Sequence, residues 1–371
     1  MISIQLFRTS GVGDHWKVLS KNQQQPHRVN LGLQAKRSAG MKTEIAGPYQ
    51  ELARKSLQLG GISTDDVRWV LTSDTAELLP LLQAAYQVRS TYFANKVRIH
   101  ILNNVQSGGC TEDCKYCAQS GHAYTPGPVY PMQSEAEILA AARQAYEAGA
   151  FRHCMVFAGR NLGQSRIERI CAVVEKIKAR YPMQICVSAG FLSAREAEKL
   201  AAAGVNRYNH NLNTSSRFYD RICTSHDYRQ RVATIATARQ SGLEICSGVI
   251  IGMGESVEDI IQMTAELNAV QADSIPVNFF IPVPGHRLAN PQALIPHDCL
   301  KVLVVFRLTN PKAEIRAAAG REHHLRSLQA LSLYAANSIF AQGYLTTGGD
   351  DIDQVRQMIL DAGFEIEEDN A

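Results

Sequence analysis

From about residue 96 onward, short runs of β-branched and aromatic residues alternate with stretches whose apolar residues recur at helical spacing, separated by glycines or capping residues. Eight runs read as strands: 96–102, 153–157, 184–189, 207–212, 244–251, 274–280, 314–318 and 337–341. Strand and helix alternating in this way predict an α/β fold, a (β/α)8 barrel of the TIM type. Helix starts are marked by Ser134-x-x-Glu137, Ser165-x-x-Glu168 and Ser193-x-x-Glu196, each placing a hydroxyl at the N-cap and a carboxylate three residues on. Gly149 and Gly204 end two of the helices. Ile167, Ile170, Cys171, Val174 and Ile177 share one helical face, which makes Cys171 a core residue rather than a ligand.

The flanks carry other patterns. Residues 41–95 read as a polar-faced helical cap at the N-terminal side of a barrel spanning 96–345, and residues 346–371 as a C-terminal helical extension. The first forty residues hold Arg8, Lys17, Lys21, Arg28, Lys36 and Arg37 against the single acid Asp14, with no sustained apolar period. They are expected to be a disordered leader or an overextended start before Met41. Acting as a transit peptide they would send the chain to a mitochondrion; otherwise the cytoplasm is expected. The net charge of +3 is too small to imply nucleic acid. No apolar run approaches the ~20 residues of a membrane-spanning helix.

Nine cysteines, an odd number in a chain too long to need disulfide staples, point to an intracellular metal site. Three are crowded into Cys110-Thr-Glu-Asp-Cys114-Lys-Tyr-Cys117, in the loop after the first strand, at the barrel mouth where such folds hold active sites. Three thiolates can hold three corners of a cubane and leave one iron open, whereas a structural zinc site wants a fourth cysteine or histidine. Cys154, Cys186 and Cys246 fall near the beginnings of the second, third and fifth strands, deep in the barrel. Each alone reads as a buried apolar residue; together they read as a second site. Gly248-Val-Ile250-Ile-Gly252-Met-Gly-Glu255 reads as a strand running into a tight turn. Asn209 and Asn211 share a strand face, and their amides both donate and accept.

The spacing C-x3-C-x2-C, with Tyr116 inside it, resembles the cysteine loop of the radical S-adenosylmethionine superfamily, and the glycine segment is similar to that superfamily's G-x-I-x-G-x-x-E. Within it the chain resembles the biotin synthase family over about residues 80–350. The resemblance is carried by Cys117-Ala-Gln-Ser, Arg152-His-Cys154-Met, Tyr208-Asn209-His210-Asn211-Leu212 and Cys246-Ser-Gly. Ile315-Arg316-Ala-Ala-Ala-Gly320-Arg321-Glu322 and Ala336-Asn337-Ser338-Ile339-Phe340 extend it.

The resemblance implies radical insertion of sulfur into dethiobiotin, a 4Fe-4S cluster on Cys110, Cys114 and Cys117, and an auxiliary 2Fe-2S cluster on Cys154, Cys186, Cys246 and Arg316. It implies S-adenosylmethionine against Tyr116, Asn213, Gly248, Ile250, Gly252 and Glu255, and dethiobiotin against Asn209, Asn211 and Asn278. A homodimer and an electron donor such as flavodoxin or ferredoxin are implied too. An arginine pointing into a barrel needs an anionic partner, and a sulfide-bridged cluster is the one this sequence clearly offers. Two segments depart from the family pattern: Asn213 stands where an aspartate associated with the cofactor ribose is common, and Val156-Phe-Ala-Gly-Arg160 differs from the commonest version. The alternatives are a hydrogenase-maturation or methylornithine-type radical enzyme, which would not need Cys154, Cys186, Cys246 and Arg316 together, and a non-catalytic metal-binding barrel.

Overall fold

The computed structural model describes residues 47–345 and 348–368; the leader expected over 1–40 lies outside them. The strands are β1 (Lys96–Gln106), β2 (Arg152–Phe157), β3 (Gln184–Ser188), β4 (Arg207–Asn209), β5 (Glu244–Cys246), β6 (Val249–Ile251), β7 (Ser274–Phe279), β8 (Glu314–Ala317), β9 (Ser338–Ala341) and β10 (Glu365–Glu367). All pairings are parallel: β1 to β9 follow chain order around the ring, with β5 and β6 both on β7, β9 returns to β1 and closes the barrel, and β10 adds to the start of β1. β5 and β6 together form the expected fifth strand, broken at Ser247-Gly248. Gly248 causes the break: a Cβ there would lie 2.0 Å from the Pro276 carbonyl oxygen, so only glycine lets the two strands approach. β4 ends at Asn209, before the expected 212, but the chain stays beside the fifth strand through His210 N to Cys246 O (2.9 Å) and Asn213 N to Gly248 O (2.9 Å), and Asn213 then turns it with φ 70°.

The period of two decides what faces where. Val97, Ile99, Ile101, Met155, Ile185, Val187, Ile275, Val277 and Ile315 are buried in the apolar layers outside the barrel. The alternate positions put Arg98, His100, Arg152, Cys154, Cys186, Arg207, Asn209, Cys246, Glu314 and Arg316 inside. A barrel with its polar residues inward keeps its chemistry in the interior.

Ser134 and Ser193 form the expected capping boxes with Glu137 and Glu196. Ser165 does not cap: Gly163, at φ 72°, turns the chain into helix Gln164–Lys178 earlier, and Glu168 instead accepts from Gln164 and Lys199. On that helix Val173 is buried and Cys171 only half-buried, at the edge of the apolar face. Helices Pro48–Leu59, Thr64–Thr72 and Leu78–Phe93 precede the barrel, and Arg89 donates to the carbonyls of Ala336 (3.1 Å) and Lys96 (2.7 Å), where β9 and β1 begin. The segment after 345 is not helical throughout. Helix Ile352–Asp361 is followed by β10, which pairs with the start of β1 while Phe364 and Ile366 pack beside Val97 and Ile99. Among the described residues no helix is long and apolar enough to cross a membrane.

His153 lies on the outer row, fully buried, with neither ring nitrogen bonded. Burial lowers its pKa from 6.5 to about 4, so it folds neutral. Below pH 6.5 the unfolded chain gains a proton that the folded chain refuses, so stability falls from there until the folded side chain itself titrates. The shift is worth about 3 kcal/mol at ~1.4 kcal/mol per pKa unit. In His153→Leu the difference in urea midpoint between pH 7 and pH 5 is expected to shrink; an unchanged difference would place the acid sensitivity elsewhere.

Candidate active site

The loop after β1 folds back on itself through Gly121 N donating to Cys110 O (2.7 Å), Cys110 N to Gln119 O (3.2 Å) and Cys117 N to Cys114 O (3.1 Å). It is pinned to the segment after β4: Asp113 accepts from the N–H groups of Thr224 (2.9 Å) and Ser225 (3.0 Å), and Lys115 N donates to Ile222 O (2.9 Å). Arg160, in the segment that departs from the family pattern, donates to Glu112 at 2.9 and 3.1 Å and so ties the loop after β2 to the cysteine loop. Cys110, Cys114 and Cys117 thereby face one pocket of about 290 Å³ at the barrel mouth. Burial raises the pKa of Cys110 and of Cys117, so binding a metal there displaces thiol protons.

Tyr116, Asn213 and Ile250 line the same pocket. The Tyr116 oxygen accepts from Asn213 Nδ2 at 2.7 Å. An aspartate at 213 could only accept from that phenol; the amide donates and leaves the phenol hydrogen free. Gly248, Gly252 and Glu255 do not line the pocket; they shape the turn that carries Ile250. Glu255 is buried, its carboxylate accepting from Gly252 N (2.6 Å) and Met253 N (2.8 Å), and burial raises its pKa.

Asn209, Asn211 and Asn278 also line the mouth pocket. Asn209 Nδ2 donates to Asn211 Oδ1 (3.0 Å) and to Cys246 Sγ (3.2 Å), while Asn211 Oδ1 accepts from Gly248 N (2.9 Å). Asn278 is held at both ends, donating to Val249 O (2.9 Å) and accepting from Ala319 N (3.2 Å). Asn209 Oδ1 and Asn211 Nδ2 take part in no hydrogen bond among the described residues, which leaves one acceptor and one donor toward the pocket.

Below it a smaller enclosed cavity is lined by Cys154, Cys186, Cys246 and Arg316, and Asn209 lines both spaces. Cys154 and Cys186 are paired in register on β2 and β3, and the three cysteines pack with Phe340. The neighbouring Cys186 lowers the pKa of Cys154, and Cys154 in turn raises that of Cys186 to about 12. Arg316 Nη1 lies 3.9 Å from Cys246 Sγ.

The expectation that only a cluster could neutralise Arg316 is corrected. Glu314, two residues earlier on β8 and therefore on the same inner face, accepts from it. Glu314 is also within 3.2 Å of Arg98, His100 and Arg207. Burial alone would raise its pKa, but Arg207, His100 and Arg316 hold it well below the carboxylate range. The layer nonetheless keeps unused donors: Arg316 Nε and Arg152 Nε and Nη1 are buried without hydrogen-bond partners. Arg316, with its unused Nε donor, and three thiols around one small cavity fit a sulfide-bridged anionic cluster, while Arg152 lies outside the cavity lining.

Arg231 in the mouth escaped the sequence reading. Arg231 faces the pocket from helix Tyr228–Gln240, donating to Asn211 O (2.8 Å) and to the Tyr219 hydroxyl, and among the described residues it forms no ion pair with a carboxylate. Nothing in the spacing Tyr228-Arg-Gln-Arg231 separates it from a solvated arginine.

Residues 104–267 match the Radical SAM superfamily, and residues 276–365 match the Biotin and Thiamin Synthesis associated domain. A biotin synthase from Magnetococcus marinus is 50% identical over 298 residues, 80% of this chain and 93% of the relative. Biotin synthases from Leptospira interrogans (49% over 287 residues, 77% and 82%) and Anoxybacillus flavithermus (45% over 316 residues, 85% and 96%) are similar. Among solved structures, methylornithine synthase superimposes with TM-score 0.73 at 21% identity, covering 86% of this chain and 98% of its own. The FeFe-hydrogenase maturase of Carboxydothermus hydrogenoformans gives 0.73 at 15%, covering 86% and 79%. These two share the barrel, but the extensive sequence identity lies elsewhere. Near-half identity over most of both chains, together with the radical and associated domains in tandem, places this chain in the biotin synthase family of radical S-adenosylmethionine enzymes.

Proposed function

We propose that the chain converts dethiobiotin to biotin by radical sulfur insertion, with the two cysteine groups serving successive halves of the task. One observation carries this reading: the mouth pocket and the deeper cavity lie one above the other in a single barrel, each faced by three cysteines, with Asn209 lining both. Cys110, Cys114 and Cys117 would hold a 4Fe-4S cluster, and Cys154, Cys186, Cys246 and Arg316 a 2Fe-2S cluster. When bound, the first cluster with S-adenosylmethionine supplies a 5′-deoxyadenosyl radical, and the second supplies sulfide.

The protein's own contribution is placement. Arg231, lacking a carboxylate partner, suits the carboxylate of an amino-acid-like cofactor, and the Gly248–Glu255 turn holds Ile250 at the pocket wall. The free Asn209 oxygen and Asn211 amide suit a ureido ring, which both donates and accepts. Holding the reacting carbon between the two cysteine groups makes each hydrogen and sulfur transfer intramolecular. The apolar outer layers keep water from the interior. A homodimer, an electron donor of the flavodoxin or ferredoxin kind and a cytoplasmic setting complete the reading.

The test is anaerobic incubation of the reconstituted chain with dethiobiotin, S-adenosylmethionine and a reductant, with mass detection of products. Biotin is expected; 5′-deoxyadenosine without biotin would reject the substrate, and neither product would reject the radical chemistry.

A further inference from the structure

The function proposed above makes no use of Cys223 and His226, which follow the short helix Tyr219–Ile222. Cys223 Sγ lies 3.7 Å from Cys114 Sγ, and 3.3 Å from His226 Nδ1 and 3.7 Å from Nε2. One ligand atom from each of Cys114, Cys223 and His226 falls within 4.8 Å of the others, and all three residues are buried. Around one tetrahedral ion with Zn–S near 2.3 Å and Zn–N near 2.0 Å, the sulfurs stand about 3.8 Å apart and sulfur and nitrogen about 3.5 Å apart. The spacing is that of ligands on a single ion. Thiolates on different irons of a cubane have metal and sulfide between them and stand farther apart.

The surroundings complete such a site. Glu112 accepts from His226 Nδ1 and orients the ring, which leaves Nε2, 3.7 Å from Cys223 Sγ and 2.9 Å from the Tyr219 hydroxyl, as the ligand atom; Asp113 Oδ1 accepts from the Cys223 thiol (3.2 Å), whose proton the ion displaces. Cys223 and His226 also line a surface cavity of about 450 Å³ shared with Asp220 and Asp227, while Cys114 and His226 line the mouth pocket. The three residues therefore form part of the wall between the two spaces, and an ion can enter from the surface side.

We propose that the iron-free chain binds one soft divalent cation, zinc being the natural example, through Cys114, Cys223 and His226 with a fourth position left to water. By occupying Cys114, the ion blocks assembly of iron and sulfide on the cysteine loop. The ion site stands on its own geometry; the blocking rests on the assignment of Cys114 to the cubane.

Cobalt(II) is the probe. Titrated anaerobically into the full iron-free chain, it is expected to give tetrahedral d–d bands and thiolate-to-cobalt charge transfer at one equivalent. Cys223→Ser, nearly isosteric, and His226→Ala should each weaken binding by at least roughly tenfold, while Cys117→Ala leaves it unchanged. If Cys117→Ala abolishes the bands and Cys223→Ser keeps them, the ion sits on the C-x3-C-x2-C loop and the proposal is overturned; absence of tetrahedral bands in the parent overturns it as well. Iron uptake then tests the blocking: one equivalent of zinc should halt reconstitution of the parent but spare Cys223→Ser. Equal sensitivity of the two would overturn it. A parent that takes up no iron even without zinc would instead count against the cluster assignment, so the two failures are distinguishable.

Discussion

Cys114→Ala is expected to lower reductive cleavage of S-adenosylmethionine by more than roughly 10³-fold, read as 5′-deoxyadenosine formed anaerobically with dithionite. The loop offers three thiols to the cubane, and a site reduced to two should not keep its iron. Cys114 is also part of a packed wall with Phe218, Tyr219, Ile222 and Cys223, so the substitution removes a buried sulfur and should cost on the order of 1–2 kcal/mol. That loss is too small to unfold the barrel, whose interior and outer layers it leaves intact. Chemistry and folding therefore separate: the urea midpoint should stay close to the parent's, and iron bound deep in the barrel should remain. Undiminished 5′-deoxyadenosine would reject the radical assignment.

How far the sequence could be read depends on whether a residue's role is set by its near neighbours. The alternation that buries Val97, Ile99 and Ile101 outside and turns His100 and Leu102 toward the interior is local, and it located the strands to within a few residues. The split of the fifth strand was not local. Gly248 resembles any strand glycine until Pro276, on the adjacent β7, is seen to occupy the space of a side chain. The same holds for Gly163, whose positive φ starts its helix ahead of a serine that looked like a cap.

In the site, clustered cysteines were legible because thiols at close spacing have few other uses. Glu255 was legible as part of a segment but not in its action, which is to hold the turn through two backbone N–H groups. The partner of Arg316 follows from the period of two alone, since Glu314 stands two positions away on the same inner face, but the pairing is visible only once Arg316 is known to point inward. Arg231 and the pair Cys223 and His226 join the mouth only through folding, across separations that no spacing rule covers.

Cys186→Ala is expected to remove the auxiliary iron, leave cleavage of S-adenosylmethionine near the parent rate, and lower biotin formation by more than roughly 10²-fold. Cys186 is the middle thiol of the deep group, in register with Cys154 on the adjacent strand and packed in one cluster with Cys154 and Cys246. Removing it breaks the set while the loop at the mouth keeps its three cysteines. The competing account treats the three as packed core residues that stand in one layer by coincidence of register. On that account the substitution costs on the order of 1–2 kcal/mol and leaves iron content unchanged. Glu314 narrows the contrast, since Arg316 already has an anionic partner and would not be stranded without a cluster. The unused donor Arg316 Nε, on a residue that lines the cavity, still favours a further anion there, because a buried guanidinium N–H without an acceptor costs free energy that a sulfide would recover. Iron and acid-labile sulfide measured on the variant decide between the two. Values equal to the parent would reject the second cluster, and with it the assignment of Cys154, Cys186, Cys246 and Arg316 as its ligands.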